Sequence, residues 1–155
     1  MLFRSIERLG CTIRVFNTHL DHVSGIARLL GVKVILEYIS KFNQQRPLPT
    51  ILMGDLNCKP KSRPVQFLND HMLDYPDIKL TNVYSKFDPS TLSNTFHNFT
   101  GKIKRKSAPI DYIFVSNEFE IVDSRIITDP IDGRYPSDHY PLMATLRLKN
   151  IATKE

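Results

Sequence analysis

Apolar residues fall along this chain in short runs, and several of the runs close on a small polar cluster. Thr12 to Asn17 reads as a strand rich in β-branched and aromatic residues, with Asn17-Thr18-His19 at its end. Ser24 to about Phe42 carries helical periodicity: Leu29, Val32, Leu36 and Ile39 recur at spacings of three and four, and Ile35 and Phe42 widen the stripe. Arg28, Lys33, Glu37 and Lys41 lie largely off it, Ser24 is placed to cap the helix, and the two prolines of Gln44 to Pro49 end it. Thr50 to Met53 is a short buried strand, broken by Gly54-Asp55-Leu56-Asn57 and a loop through Pro60, Ser62 and Pro64. A short helix follows at Pro64 to Asn69, with proline tolerated in its first turn. From His71 to about Ser107 the pattern weakens to loops, with brief strands near Leu80 to Tyr84 and Thr95 to Phe99. Ile110 to Val115 and Glu120 to Thr128 read as consecutive strands, and Pro141 to Leu148 as a last strand after the Asp129 to Asp138 loop. Strands alternating with one long helix predict an α/β domain over 1–149 with a short tail at 150–155; the short connections favour a mixed sheet.

Composition narrows the class. With 41% hydrophobic and 24% charged residues in 155, the chain can bury a single core. No apolar run approaches the roughly 20 residues needed to cross a bilayer, and Met1 to Gly10 holds Arg4, Glu7 and Arg8 where a secretory leader needs an unbroken apolar stretch. A soluble, cytoplasmic chain is therefore expected for the sequence as given. Cys11 and Cys58 are too few for a disulfide framework and lack metal-site spacing, so both are expected as reduced, small side chains. The net charge of +5 favours a polyanionic partner, nucleic acid among them. Lys102, Lys104, Arg105 and Lys106 concentrate that charge just before Ile110, either as contacts to a phosphate backbone or as a solvated loop.

Four polar clusters carry the candidate chemistry: Asn17-Thr18-His19-Leu20, Gly54-Asp55-Leu56-Asn57, Ile110-Asp111-Tyr112-Ile113 and Ser137-Asp138-His139-Tyr140-Pro141. Hydrolysis of a phosphoester needs an activated water, charge stabilisation on the phosphoryl oxygens and a proton for the leaving oxygen. Asp55, Asn57 and Asp138 offer the oxygen donors that magnesium takes, and His19 and His139 are the candidate proton carriers. Asp111, an acid inside an apolar run, needs a partner if buried and can fix the tautomer of His139. Each cluster alone has a plain reading as a turn, a cap or a surface histidine; their order and spacing together are far more specific.

On those motifs the chain resembles the endonuclease/exonuclease/phosphatase superfamily of deoxyribonuclease-like, metal-dependent phosphoesterases, from about Thr12 to Leu148. Gly54-Asp55-Leu56-Asn57-Cys58-Lys59-Pro60, Ile110-Asp111-Tyr112-Ile113-Phe114-Val115 and the extra Thr95-Phe96-His97-Asn98-Phe99 segment add to the likeness. The resemblance implies that Asp55 orients or deprotonates the attacking water and that Asn57 holds a phosphoryl oxygen or a metal. Asp138 would bind Mg2+ or Mn2+ together with Asp55. His139, oriented by Asp111, would contact the phosphate or act as general acid or base, with His19 acting from the other side. Phe96 and His97 are implied as pocket residues, a core role being the alternative for Phe96, and Lys104 and Arg105 as substrate contacts.

One departure shapes the expectation. The family resembles a four-layer sandwich whose first half carries an asparagine and a metal-binding glutamate, and neither has a counterpart here; Glu7 lies outside the expected context. The implied fold is a mixed-sheet sandwich lacking much of its amino-terminal half. Such a chain would leave an apolar sheet face for a complementing half or a second copy to cover. The resulting expectation is a divalent-metal-dependent phosphoesterase, with a phosphodiester as first choice of substrate. The alternative is a catalytically inactive relative serving as an interaction or phosphate- or nucleic-acid-binding module.

Overall fold

The computed structural model describes residues 2–8, 11–70, 74–87, 92–104 and 107–149. Its organising element is β2 (Cys11–His19), whose side chains alternate between two faces as a strand requires. Arg14, Phe16 and Thr18 are buried under helix α1 (Gly25–Gln45), which turns Val32, Ile35, Leu36 and Ile39 toward them. Each fully buried side chain of this size contributes about 1.5–3 kcal/mol. Ser24 caps the helix as its sequence predicts, its hydroxyl accepting the Ala27 N–H at 3.2 Å.

Strand β3 (Thr50–Asp55) runs parallel to β2, and β5 (Asp111–Ser116) lies antiparallel on its other side. With β1 (Leu2–Arg8) and β4 (Leu80–Asn82), the sheet reads β1-β2-β3-β5-β4, mixed as expected. The short helix α2 (Arg63–Asp70) adds Val65 and Leu68 to the core beneath α1. β6 (Phe119–Ile126) and β7 (Leu142–Leu148) form a separate antiparallel pair, and Phe119 and Ile121 cluster with Val115 of the main sheet and with Val83, just past the end of β4. Ile13, Ile51 and Ile113 are partly buried against that cluster. Residues of β6 and β7 thus pack against part of the apolar sheet face. Among the described residues, several of the large exposed apolar side chains lie instead on the outer side of α1, at Ile26, Leu30, Val34 and Tyr38.

Three elements differ from the sequence reading. β1 pairs with β2 from Leu2↔Asn17 to Arg8↔Cys11, although Arg4, Ser5, Glu7 and Arg8 interrupt any apolar alternation in it. Backbone pairing with β2 supplies what the pattern lacks. The strand expected at Leu80 to Tyr84 stops at Asn82, whose side chain accepts the Tyr84 N–H at 3.0 Å and starts a single 3₁₀ turn at Val83–Lys86. Thr95 to Phe99 is no strand: Phe96 and His139 make one isolated bridge, after which Asn98 and Phe99 take positive φ, a conformation strands exclude. The expected tail at 150–155 lies outside the described residues.

Candidate active site

Strand register assembles the first half of the site. His19 pairs with Asp55 across β2 and β3, and Asp55 pairs with Asp111 across β3 and β5. Residues paired in this way point to the same face, so three of the expected residues form one row across three adjacent strands. The row lies on the face opposite α1, at the end where β2 and β3 stop. His19 Nε2 stands 3.4 Å from Asp55 Oδ2, and the ladder continues past the row through Leu20 N–H to the Asp55 carbonyl at 3.0 Å. Just beyond, Asn57 adopts φ 49°, donates its backbone N–H to Asp55 Oδ1 at 2.7 Å and its side-chain N–H to the Leu20 carbonyl at 2.9 Å. These bonds commit its amide nitrogen, so the amide oxygen is the atom left to accept.

The second half arrives on the loop before β7. His139 Nδ1 is 2.8 Å from Asp111 Oδ2, and Nε2 is 3.9 Å from Asp55 Oδ2. The Ser137 hydroxyl accepts the His139 N–H at 3.1 Å, and the Asp138 carbonyl accepts the N–H groups of His97 and Asn98 at 2.9 and 3.1 Å. The Phe96 ring meets His139 edge-on at 5.1 Å. An open cleft of about 600 Å3 results, whose lining includes His19, His22, Asp55, Asn57, Phe96, Asp111, Asp138 and His139.

Burial disfavours a charged imidazole at His139, but the Asp111 hydrogen bond and the charges of Asp111, Asp55 and Asp138 outweigh it and hold the ring above the ordinary histidine pKa. Burial also raises the Asp55 carboxyl, and the Asp111 charge adds to this; the Asn57 N–H bond and the two histidines pull it down without cancelling the rise. Since the His139 pKa is higher folded than unfolded, protonation stabilises the fold below the ordinary value, and that contribution fades as pH rises through the folded value. Asp111→Asn is expected to move the His139 titration downward, because burial remains while the charge and the strong acceptor are lost. Imidazole NMR titration checks this; an unmoved midpoint would rule out Asp111 as the source of the shift.

A sequence model described as the endonuclease/exonuclease/phosphatase family matches residues 4–139. The chain belongs to that family. Among solved structures it is similar to a conserved protein of unknown function from Enterococcus faecalis V583, with 33% identity and TM-score 0.69 over 89% of this chain and 51% of that one. It is also similar to an endonuclease/exonuclease/phosphatase family protein from Bacteroides thetaiotaomicron, at 27% identity and TM-score 0.74 over 88% and 49%. A mannosyl-6-phosphatase from Bacteroides thetaiotaomicron VPI-5482 matches at 26% identity and TM-score 0.74 over 90% and 53%. The chain therefore spans about half the length of these structures. No curated protein matches it.

Within this endonuclease/exonuclease/phosphatase fold, the residues expected at the site separate into two groups. His19, Asp55, Asn57, Asp111, Asp138, His139 and Phe96 converge on the cleft, and Phe96 is exposed there, not in the core. His97 is only 4% exposed; its ring stacks on Tyr140 at 3.9 Å and meets Tyr135 at 4.7 Å, so it sits behind the cleft instead of lining it. Aromatic neighbours on two sides explain the difference, since stacking buries more of the ring than a cleft wall can. Lys104 is exposed, its backbone N–H held by the Asn94 side chain at 2.6 Å, and it is not among the cleft-lining residues. Arg105 lies outside the described residues. Sequence reasoning included Thr95 in the Thr95 to Phe99 segment but gave it no role, because a single threonine between Asn94 and Phe96 does not signal that it will be fully buried.

A hard divalent cation fits this donor set. One atom each of Asp55, Asp111 and His139 lie within 4.8 Å of one another, a group able to hold a metal. Asp138 and Asn57 line the same cleft, where a carboxylate and an amide oxygen are further donors of the kind hard cations take. Cys11 and Cys58 are free, as expected, and take no part. Tyr112 is structural: burial drives its phenol pKa far upward, and the neutral hydroxyl donates to the Cys58 carbonyl at 2.7 Å.

Proposed function

We propose that the cleft is a divalent-metal-dependent phosphoester hydrolase site, with a phosphodiester as first substrate class. The observation that carries this is the row His19, Asp55 and Asp111 closed by an Asp111-bound His139, which puts a base, an oriented imidazole and oxygen donors around one open space. Asp55, its proton affinity raised by burial, is suited to take a proton from the attacking water. Water oxygen bonds to phosphorus as the bond to the leaving oxygen breaks, and that oxygen needs a proton. His139, whose protonated form the Asp111 hydrogen bond favours, can supply it or stabilise a phosphoryl oxygen, and His19 approaches from the other wall. Asp138, Asp55 and Asn57 would hold the cation, which supplies neutralisation of phosphoryl charge when bound.

The basic segment at Lys102 and Lys104 supports an extended phosphodiester. Similarity to a mannosyl-6-phosphatase supports a second reading, a sugar phosphomonoester. The test is hydrolysis of an aryl phosphodiester, plasmid DNA and a hexose 6-phosphate by the purified chain, with magnesium, manganese and chelator arms. Chelator-sensitive turnover is expected, and the preferred substrate distinguishes the two readings. Folded protein that turns over none of the three in either metal would favour the alternative, a phosphate- or nucleic-acid-binding module.

A further inference from the structure

Asp111 and His139 are 28 residues apart in sequence and belong to different segments, yet their single hydrogen bond requires the two backbones to be fixed to within a few tenths of an ångström. One buried residue bonds to both. The Thr95 hydroxyl oxygen accepts the N–H of Ile110 at 3.0 Å and that of Asp111 at 3.3 Å, holding the entry of β5. Its carbonyl accepts the Tyr140 N–H at 2.7 Å, on the residue next to His139. Thr95 is 0% exposed, so water does not compete for these bonds. The adjoining Phe96↔His139 bridge and the bonds of His97 and Asn98 to the Asp138 carbonyl continue the same clamp.

We infer that Thr95 is a positioning residue for the Asp111–His139 pair, its side chain registering the acid and its main chain registering the imidazole. It touches neither substrate nor the reacting atoms. A hydroxyl at this point does what an apolar residue of equal volume cannot: its oxygen, itself fully buried, accepts two partly buried N–H groups at the start of β5, which would otherwise face an apolar side chain without an acceptor. Relief of that mismatch requires the Ile110-Asp111 backbone to move, and with it the carboxylate that orients His139. The kinetic part of this inference rests on the hydrolase reading; the geometric part does not.

Thr95→Val keeps the shape and removes the acceptor, whereas Thr95→Ser keeps the acceptor and removes a methyl. In folded Thr95→Val, the ring 15N shifts of His139, which distinguish a carboxylate-bound Nδ1–H from a free one, are expected to lose the bound signature. With the substrate that the wild type hydrolyses, kcat is expected to fall about 10- to 100-fold with KM little changed. Thr95→Ser is expected to keep the wild-type spectrum and kcat. Thr95→Val with wild-type ring shifts overturns the inference, as does folded Thr95→Ser that loses them. If Thr95→Val does not fold, Thr95→Ser decides alone. Absence of turnover in the wild type would count against the hydrolase reading while leaving the spectroscopic comparison intact.

Discussion

Gly54→Ala is expected to lower the unfolding free energy by about 3 kcal/mol or more and to pull the cleft apart. Gly54 holds φ at +137°, a conformation that side-chain-bearing residues rarely adopt, and a Cβ built there falls 1.8 Å from the Thr18 carbonyl oxygen. That oxygen belongs to the backbone of β2, so no rotamer change relieves the overlap. The strands must separate at Thr18↔Gly54, one step from His19↔Asp55. Gly133 makes the control: its φ is +72°, but nothing lies within 4 Å of its added Cβ, and Gly133→Ala is expected to cost a fraction as much. Urea unfolding followed by circular dichroism measures both. Equal midpoints for the two variants would show that the contact with β2 contributes nothing.

Loss of the His139 imidazole is expected to reduce kcat by about 10²- to 10⁴-fold, with a much smaller change in KM. The ring is bonded to Asp111 and also reaches within 3.9 Å of Asp55, so it connects the two carboxylates. It lies at the cleft surface, with 22% of its side chain exposed, and its removal leaves the main core untouched. His139→Ala should therefore fold. Because Asp111 would lose its partner, His139→Gln is the companion variant, filling most of the volume without carrying a proton. Steady-state kinetics on folded His139→Ala with activity within a few-fold of wild type would remove the imidazole from the mechanism.

Much of the architecture was legible because it follows from local chemistry. The helix from Ser24 announces itself through a capping hydroxyl and a stripe at Val32, Leu36 and Ile39, and the strands at β2, β3 and β5 through β-branched and aromatic runs. The convergence of His19, Asp55, Asp111 and His139 was legible only through motif order, since no periodicity specifies which strands become neighbours. What stayed hidden depends on long-range contacts. β1 exists through its pairing with β2, against its own charge pattern. Thr95 becomes informative once β5 and the loop before β7 are placed beside it, and His97 leaves the expected substrate contact because Tyr135 and Tyr140 enclose its ring.

Placing His19, Asp55 and Asp111 on one cross-strand row makes the site a digital reporter of strand alignment. A one-residue slip of β3 against either neighbour would turn Asp55 to the helix side and bring Gly54 or Leu56 into the row. A mispaired sheet thus has no partial version of this constellation to offer. Binding or turnover measured during refolding would therefore count correctly aligned molecules, not merely compact ones.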